Sequence, residues 1–154
     1  MNISDYHVTE AEDDVLVTYA LGSCVAVIVH DPVRKIGGMI HYMLPQSSLS
    51  PEKARLHPAM FADTGVPLLF HTMYQRSCAK ERLVVKVVGG SKLYDDDGMF
   101  DIGRRNYAIL RRMFCKAGVT ITAQDVGGSR SRTTRLYVGT GRVTVHSANE
   151  EVDL

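Results

Sequence analysis

Cys24 and His41 are the residues of this chain whose types and positions could perform nucleophilic chemistry. Both lie in residues 18–45, a largely apolar stretch interrupted by turn-forming residues. An isolated thiol has a pKa of about 8.5, and a neighbouring imidazole lowers it to about 3.5–7.5, so that the nucleophilic thiolate exists at neutral pH. The resulting imidazolium can then protonate a leaving amine. If the fold brings the two side chains together, we expect Cys24 to be more reactive than Cys78 and Cys115.

Three neighbouring residues could assist this pair. Gly22 and Ser23 directly precede the cysteine and predict a turn, which can aim backbone N–H groups at a developing oxyanion. Thr18 could offer its hydroxyl group to the second ring nitrogen of His41 and so fix the tautomer of the ring. The sequence therefore predicts Cys24 as the nucleophile, with an acid and base, an orienting hydroxyl group and an oxyanion-binding turn around it.

The elements that must position these residues are three short β-strands. Residues 15–20 and residues 24–29 are predicted strands separated by a turn, and residues 36–44 return as a third strand. Asp31-Pro32 favours a turn between the second and third strands, because proline presets the dihedral angle of the second turn residue. Gly37-Gly38 suggests a β-bulge at the start of the third strand.

The register of the second and third strands decides how close the two candidate residues come. A turn centred between Pro32 and Val33 places Cys24 directly opposite His41, and Cβ atoms in such a pair are about 4.5–5.5 Å apart. A β-bulge would instead shift the histidine by one residue and turn its side chain to the other face. Catalysis requires proximity, and direct pairing is one way to achieve it.

An inert interpretation accounts for the same residues. A single cysteine in an apolar strand is usually a buried structural residue, and a single histidine is usually a core residue with its hydrogen bonds satisfied. The spacing of Cys24 and His41 taken alone favours that interpretation.

The longer pattern of residues resembles the CheD family of bacterial chemotaxis proteins, the chemoreceptor glutamine deamidases. The resemblance begins with T-x-x-L-G-S-C-V-A-V, D-P and G-G-M-x-H-Y-M-L-P, in that order. It continues with V-K-V-V-G-G-S at 85–91, I-G-R-R-N at 102–106, D-V-G-G-S at 125–129 and T-G-R-V at 140–143. One departure is Ser131, where the family pattern has a glycine.

The resemblance implies a fold, a catalytic set and partners. The catalytic threonine, cysteine and histidine of the family fall on Thr18, Cys24 and His41. The implied fold is that of the deamidase toxins, a β-sandwich flanked by helices. The implied substrates are glutamine side chains and methyl esters of chemoreceptor cytoplasmic domains, and the implied second partner is a CheC-type phosphatase. No metal or organic cofactor is required.

Composition excludes several other classes of protein. The chain has 154 residues, with 18 Lys and Arg against 17 Asp and Glu, which predicts one domain over residues 1–154 and argues against a general nucleic-acid binder. Its 3 cysteines lack the spacing of a zinc site or a disulfide framework. The N-terminal residues do not resemble a signal peptide, and no stretch has the length of a membrane helix. We expect a cytoplasmic protein without membrane insertion that is monomeric when free.

The remaining chain predicts an α+β fold, a layered sandwich of mixed or antiparallel β-sheets flanked by two helices. Residues 63–77 have buried-helix periodicity with Asp63 or Thr64 as cap, and residues 102–116 predict a second helix between Asp101 and Gly118. The other predicted elements, in chain order, are a solvated lead-in at 5–14, an irregular loop at 46–60, a strand at 83–88, strands at 119–123, 135–138 and 142–145, and a frayed tail at 150–154.

Three polar or glycine-rich segments allow more than one interpretation. Gly89-Gly90-Ser91 lacks the remaining residues of a phosphate-binding loop, and tight backbone packing near the active site is favoured. Residues 95–98 resemble part of a calcium loop but lack its distant acidic residue, so a solvated turn is favoured. Arg130, Arg132 and Arg135 could dock an acidic receptor surface, although a solvated turn is favoured. The loop at 46–60 could select substrates or could be an ordinary surface loop.

The leading hypothesis is therefore a protein-glutamine deamidase, and two alternatives remain. A non-catalytic adaptor that binds chemoreceptors or a CheC-type phosphatase would not need to retain Thr18, Cys24 and His41 together. A cysteine amidase acting on small molecules would need a deep closed pocket, whereas a protein substrate needs an open groove.

Overall fold

The computed structural model describes residues 1–92 and 101–154, which form two β-sheets and a layer of helices. The first sheet has five strands in the order β1-β4-β3-β5-β6, and the second has four in the order β2-β7-β8-β9. The strands are β1 Asp5–Thr9, β2 Val15–Leu21, β3 Val25–Asp31, β4 Ile36–Tyr42, β5 Val84–Gly89, β6 Ala123–Val126, β7 Arg132–Tyr137, β8 Arg142–Ser147 and β9 Glu150–Asp153. The helices are α1 Pro51–Leu56, α2 Ala62–Gln75 and α3 Ile102–Ala117.

The first sheet is the middle layer of the molecule. Every residue of β3 is buried, because successive side chains of the strand enter two different apolar clusters. Val25, Val27 and Val29 pack in the cluster beneath α2 and α3. Ala26 and Ile28 pack in the cluster between the two sheets. The predicted α+β sandwich is therefore confirmed, with the second sheet on one face of the first and helices on the other.

The pairing of β3 with β4 differs from the predicted register by two residues. Ala26 is the partner of His41, and Asp31 is the partner of Ile36, so the connecting loop has four residues instead of two. The direct pairing of Cys24 with His41 is therefore wrong. Because side chains alternate with a period of two, this shift leaves both residues on the same face of the sheet.

The predicted β-bulge at Gly37-Gly38 is absent, since both glycines pair in regular register with β3. A Cβ atom on Gly37 would lie 2.9 Å from Leu136 Cδ2, and one on Gly38 would lie 2.9 Å from Leu69 Cδ1. The glycines thus allow layers on both sides of the strand to approach closely. A register shift occurs instead in β2, between Thr18 and Leu21.

The two predicted helices are present and bury the predicted stripes. Val66, Leu69, Phe70 and Met73 of α2 are buried in the cluster with the first sheet. The prediction of Asp63 or Thr64 as the cap of this helix is wrong. The helix begins at Ala62, and its N-cap residue is Phe61, which makes no side-chain hydrogen bond. The cap of α3 is confirmed, since the Asp101 carboxylate accepts from the Arg104 N–H at 3.0 Å. Gly118 ends α3 in the left-handed conformation, at a φ of 61°. Within the described residues, no helix is long and apolar enough to cross a membrane.

Four segments differ from their predicted structure. Residues 46–60 contain α1 and two short 3₁₀ turns instead of an irregular loop. Residues 5–9 form the edge strand β1, and residues 150–153 form the edge strand β9, so neither is a solvated lead-in or a frayed tail. The strand predicted at 119–123 begins at Ala123. Periodicity could not find these elements because they are short and only partly buried.

The predicted basic patch is also different in the structure. Arg132 is buried and forms an ion pair with Asp125 at 2.8 Å, while Arg135 pairs with Glu151 at 3.4 Å. Neither side chain belongs to a solvated turn. The turn predicted at 95–98 lies outside the described residues.

Candidate active site

The candidate nucleophile lies where the chain crosses from one sheet to the other. β2 belongs to the second sheet and β3 to the first, and Gly22, Ser23 and Cys24 connect them. Cys24 packs in the apolar cluster between the sheets and is 8% exposed. The sulfur atom is therefore enclosed by both sheets.

Thr18 and His41 meet across the same layer, as the sequence predicted. Thr18 Oγ1 lies 2.8 Å from His41 Nδ1, and both residues are buried. This contact joins β2 of the second sheet to β4 of the first. Within the described part of the chain, the other ring nitrogen, His41 Nε2, has no hydrogen-bond partner. Nε2 is thus the ring atom left for proton transfer.

Cys24 lies diagonally from His41 on the face between the sheets. His41 is opposite Ala26, and Cys24 precedes Ala26 by two positions along the chain. Diagonal neighbours in antiparallel strands are about 7–8 Å apart. The resting thiol makes no hydrogen bond to His41 Nε2. Contact between sulfur and nitrogen requires a change of rotamer or a group bound between them.

The pKa values of the pair differ from the sequence prediction. Burial raises the pKa of the Cys24 thiol, and a hydrogen bond from its own backbone N–H opposes this only in part. Burial, followed by the positive charge of the chain's amino terminus, lowers the pKa of His41 to about 4. The resting pair at neutral pH is therefore a thiol and a neutral imidazole. The sequence predicted a preformed thiolate, whereas desolvation between the sheets disfavours both charged groups.

The backbone of the nucleophile turn is held through its carbonyl groups. Gly22 O accepts from the Ser91 N–H and Cys24 O accepts from the Gly90 N–H, each at 2.8 Å. Ser23 O accepts from the side chain of Asn106 at 2.9 Å. In residues 1–92 and 101–154, the N–H groups of the turn donate to no other backbone group. Among the described residues, no backbone group therefore competes for these donors, and the N–H of Cys24 contacts its own thiol.

The glycine pair at 89–90 allows this close approach. Gly89 has a φ of 114°, and a Cβ atom there would lie 2.3 Å from Cys24 O. Only glycine satisfies both the dihedral angle and the short distance. The prediction that Gly89-Gly90-Ser91 provides tight backbone packing near the site is confirmed.

Asn106 is the contact residue that sequence reasoning missed. Its only signal was the motif I-G-R-R-N, which supported the family resemblance without a stated role for the asparagine. Helical periodicity could not identify it, because a buried asparagine in an amphipathic helix interrupts the apolar stripe. The fold places it directly beneath the turn that carries Cys24.

Other candidate sites lie apart from this layer. A groove of about 990 Å³ between α2 and α3 is lined mainly by apolar side chains, including Phe70, Tyr74 and Phe114. It lies on the opposite face of the first sheet from Cys24. Among the residues that the structure describes, no cluster of three or more His, Cys, Asp or Glu side chains could hold a metal ion.

Comparison with known proteins identifies relatives over the whole chain. A family described as CheD chemotactic sensory transduction matches residues 43–147. A protein of Anaeromyxobacter dehalogenans (strain 2CP-C), named probable chemoreceptor glutamine deamidase CheD 2, is 52% identical over 154 residues, which are 100% of this chain and 97% of the relative. A protein of Syntrophus aciditrophicus (strain SB), named probable chemoreceptor glutamine deamidase CheD 1, is 49% identical over 96% of this chain and 92% of its own. The chemoreceptor glutamine deamidase CheD of Thermotoga maritima is 37% identical over 94% of this chain and 88% of its own.

Proposed function

The chain belongs to the CheD family, and from this we propose that it hydrolyses glutamine side-chain amides of chemoreceptors to glutamate and ammonia. The observation that carries the proposal is the position of Cys24 on a turn whose N–H groups donate to no backbone group among the described residues, beside a histidine oriented by Thr18. A nucleophile, a base and an orienting group in one buried layer are the parts that cysteine-dependent acyl transfer requires.

The reaction begins with transfer of a proton from Cys24 Sγ to His41 Nε2 as sulfur attacks the amide carbon. The carbonyl oxygen becomes an oxyanion that accepts hydrogen bonds from N–H groups of the Gly22-Ser23 turn. The His41 imidazolium then protonates the leaving nitrogen, the C–N bond breaks and ammonia departs, leaving a thioester. Water gives a proton to His41 and attacks the thioester, and the departing sulfur regains that proton. The products are glutamate and free Cys24.

The low pKa of His41 suits this sequence of proton transfers. At neutral pH the free imidazole is unprotonated and can accept the thiol proton when the substrate arrives. An imidazolium with a pKa of about 4 is also a strong acid toward the departing nitrogen. A hydrogen bond between Nδ1–H and Thr18 Oγ1 leaves Nε2 as the basic atom.

The direct test is mass spectrometry of a receptor cytoplasmic fragment incubated with the protein. We expect glutamine peptides to gain the mass difference between an amide and a carboxylic acid. Cys24→Ala and His41→Ala should abolish the change, whereas Cys115→Ala, which removes an exposed thiol, should retain it. Turnover by Cys24→Ala would refute the covalent mechanism.

The role of Thr18 is tested by a pair of substitutions. Thr18→Val keeps the shape of the side chain and removes the hydroxyl group, so kcat should fall about 10-fold, a smaller loss than for His41→Ala. Thr18→Ser keeps the hydroxyl group and should retain most of the activity. Equal losses in the two variants would indicate a packing role only.

The length of the substrate side chain provides a second test. Asparagine has one methylene fewer than glutamine, so its amide would stop short of the attack distance of about 3–3.5 Å from sulfur. Replacing a target glutamine by asparagine in the receptor fragment should nearly abolish ammonia release, and free glutamine should be a very poor substrate. Comparable rates from all three substrates would identify a general amidase instead.

The same site would accept receptor methyl esters, because attack on an ester carbon needs the same nucleophile and oxyanion donors. Methanol release from a methylated fragment measures this activity. The alternative function, a non-catalytic adaptor, predicts binding of the fragment without release of ammonia or methanol. These product measurements therefore separate the enzyme from the adaptor.

Family membership also supports a CheC-type phosphatase as second partner, with the candidate active site partly covered in the complex. We further propose a single domain over residues 1–154 that is monomeric when free and acts in the cytoplasm. The rate of deamidation in the presence of a saturating amount of the phosphatase tests whether this partner binds over the site. A bound phosphatase should lower the rate. Unchanged rates together with no detectable complex would remove this partner for the present chain.

A further inference from the structure

Asn106 joins the two chain segments that carry the candidate nucleophile and base. It is fully buried in α3, and its Nδ2 donates to Ser23 O and to Met43 O, each at 2.9 Å. Ser23 directly precedes Cys24, and Met43 follows His41 by two residues. One amide group thus fixes both ends of the site to the same helix.

We propose that Asn106 is a positioning residue that orients the oxyanion-binding N–H of Cys24. The proposal rests on the deamidase function described above and adds a residue to it. The peptide unit between Ser23 and Cys24 is planar and trans, so its C=O and N–H groups point in opposite directions. Because Asn106 holds the Ser23 carbonyl toward α3, the N–H of Cys24 points away from the helix.

The neighbouring hydrogen bonds reinforce this orientation. The Gly22 and Cys24 carbonyls are held by the N–H groups of Ser91 and Gly90. All three carbonyls of the turn therefore accept a hydrogen bond. Within the described residues the donors of the turn have no backbone partner, and the N–H of Cys24 contacts its own thiol, so a substrate oxygen at that thiol would meet them. Of these three hydrogen bonds to the turn carbonyls, only the one from Asn106 comes from a side chain.

An asparagine is required at this position for its donors. Both contacted atoms are carbonyl oxygens, so the group that meets them must offer two N–H bonds from one nitrogen. In the part of the chain that the structure describes, Oδ1 of Asn106 is buried without a partner, which costs about 1–3 kcal/mol. Asparagine is also a poor helix former compared with leucine or alanine. A residue chosen only for the stability of α3 would be apolar.

The test uses Asn106→Ala and Asn106→Asp, with Tyr42→Phe as the matched control. Tyr42 is equally buried, and its hydroxyl group donates to the main-chain oxygen of Asn106 at 3.0 Å. Tyr42→Phe therefore removes a hydrogen bond to the same helical turn and leaves the contact with Ser23 intact. Each variant is measured for thermal stability, for kcat and KM on the receptor fragment, and for the rate of Cys24 alkylation by iodoacetamide.

We expect kcat of Asn106→Ala to fall by about 10- to 1000-fold with KM little changed, as for loss of an oxyanion donor. Alkylation by iodoacetamide forms no oxyanion, so its rate should remain within about 3-fold of that of the unaltered protein. Tyr42→Phe should lose stability and keep its kcat. A kcat no lower in Asn106→Ala than in Tyr42→Phe would overturn the proposal, as would an equal fall of kcat and alkylation rate.

Asn106→Asp provides a readout if the alanine variant does not fold. A protonated carboxyl group can donate one hydrogen bond, whereas a carboxylate can donate none and is repelled by the two carbonyl oxygens. The ratio of unaltered to variant kcat should therefore rise with pH, and a ratio independent of pH would count against the proposal. Turnover by Cys24→Ala would instead refute the underlying deamidase mechanism, which separates the two failures.

Discussion

At the scale of single residues, burial determines the chemistry of Cys24 and His41. A cysteine–histidine pair in water-exposed surroundings would form a thiolate and an imidazolium, because each charge stabilises the other. Between the two sheets both charges lose solvation, so the neutral forms are favoured. We therefore expect the resting pair to react slowly with general electrophiles. In the proposed mechanism, the thiol proton moves when a substrate carbonyl occupies the N–H groups of the turn.

This state predicts the order in which the three cysteines react with iodoacetamide at pH 7. Cys115 is exposed and should be alkylated first, whereas Cys24 and Cys78 are buried, and burial raises the pKa of both thiols. The rate at Cys24 should rise steeply with pH, because only the thiolate reacts. Peptide mass spectrometry over a time course measures each site. This order reverses the expectation from sequence alone.

Cys115→Ser is the control for this experiment, because it removes the fast site and leaves the layer between the sheets unchanged. Labelling in the variant should then be slow at neutral pH. Alkylation of Cys24 before Cys115 in the unaltered protein would mean that the thiolate is preformed after all.

At the scale of secondary-structure elements, long periodic segments were predictable and short connections were not. The stripe of α2, the bounds of α3 and its two caps follow from periodicity and from capping chemistry. The register of β3 against β4 depended on whether the turn after Asp31 had two or four residues. Asp31 decides this, because its carboxylate accepts from the N–H groups of Val33 and Arg34. A local hydrogen bond of this kind cannot be read from apolar alternation.

The candidate site likewise contains residues that the sequence predicted and one that it could not predict. Thr18, Cys24 and His41 were identified from the order of residues and from family resemblance, and the shared face of Cys24 and His41 follows from two-residue alternation. Asn106 could not be derived, since its role depends on where α3 crosses the nucleophile turn. Packing between elements distant in sequence leaves no periodic signal.

Close packing of α3 against the site predicts different results for two helical glycines. A Cβ atom on Gly103 would lie 2.5 Å from Ser91 O, and one on Gly65 in α2 would lie 2.6 Å from Ile40 Cδ1. Both Gly103→Ala and Gly65→Ala should destabilise the fold by about 1–3 kcal/mol through overpacking. Gly103→Ala should also lower kcat by about 10-fold or more, because it displaces residues that hold the turn.

Gly65→Ala serves as the stability-matched control, since α2 packs on the face of the first sheet that does not carry the site. Urea denaturation and kinetics on the receptor fragment give the two quantities. An equal effect of both substitutions on kcat would show that activity follows stability alone.

At the scale of the whole molecule, buried ionisable groups make stability depend on pH. His41 has a pKa of about 4 in the folded protein, against about 6.5 in an unfolded chain. Below pH 6.5 the unfolded chain therefore binds the additional proton, and stability falls as the pH decreases toward 4. The loss from this residue is about 3 kcal/mol. The lowered pKa of His30, which is also due first to burial, acts in the same direction.

Asp31 produces a second decrease in the free energy of unfolding at lower pH. Burial alone would raise the pKa of its carboxyl group, but hydrogen bonds from Arg82, Arg34 and Val33 outweigh it and lower the pKa to about 2. Asp31 therefore contributes its full stabilisation of the fold above about pH 4, and this stabilisation is lost as the pH falls toward 2.

Urea denaturation of the unaltered protein and of His41→Gln tests the loss of stability that we attribute to His41. The free energy of unfolding of the unaltered protein should fall between pH 7 and pH 4, and that of His41→Gln should fall by about 3 kcal/mol less. The comparison isolates His41 from His30, which both proteins retain. Parallel curves for the two proteins would mean that His41 has an ordinary pKa.

The crossing of the chain between sheets at Gly22, Ser23 and Cys24 has a consequence for folding in the cell. Neither sheet alone contains the complete site, because Thr18 belongs to the second sheet and His41 to the first. A chain still emerging from the ribosome carries the same cysteine as an ordinary thiol, without its oriented histidine. Turnover therefore requires the two sheets to be docked. On gentle heating it should be lost before the strands themselves melt.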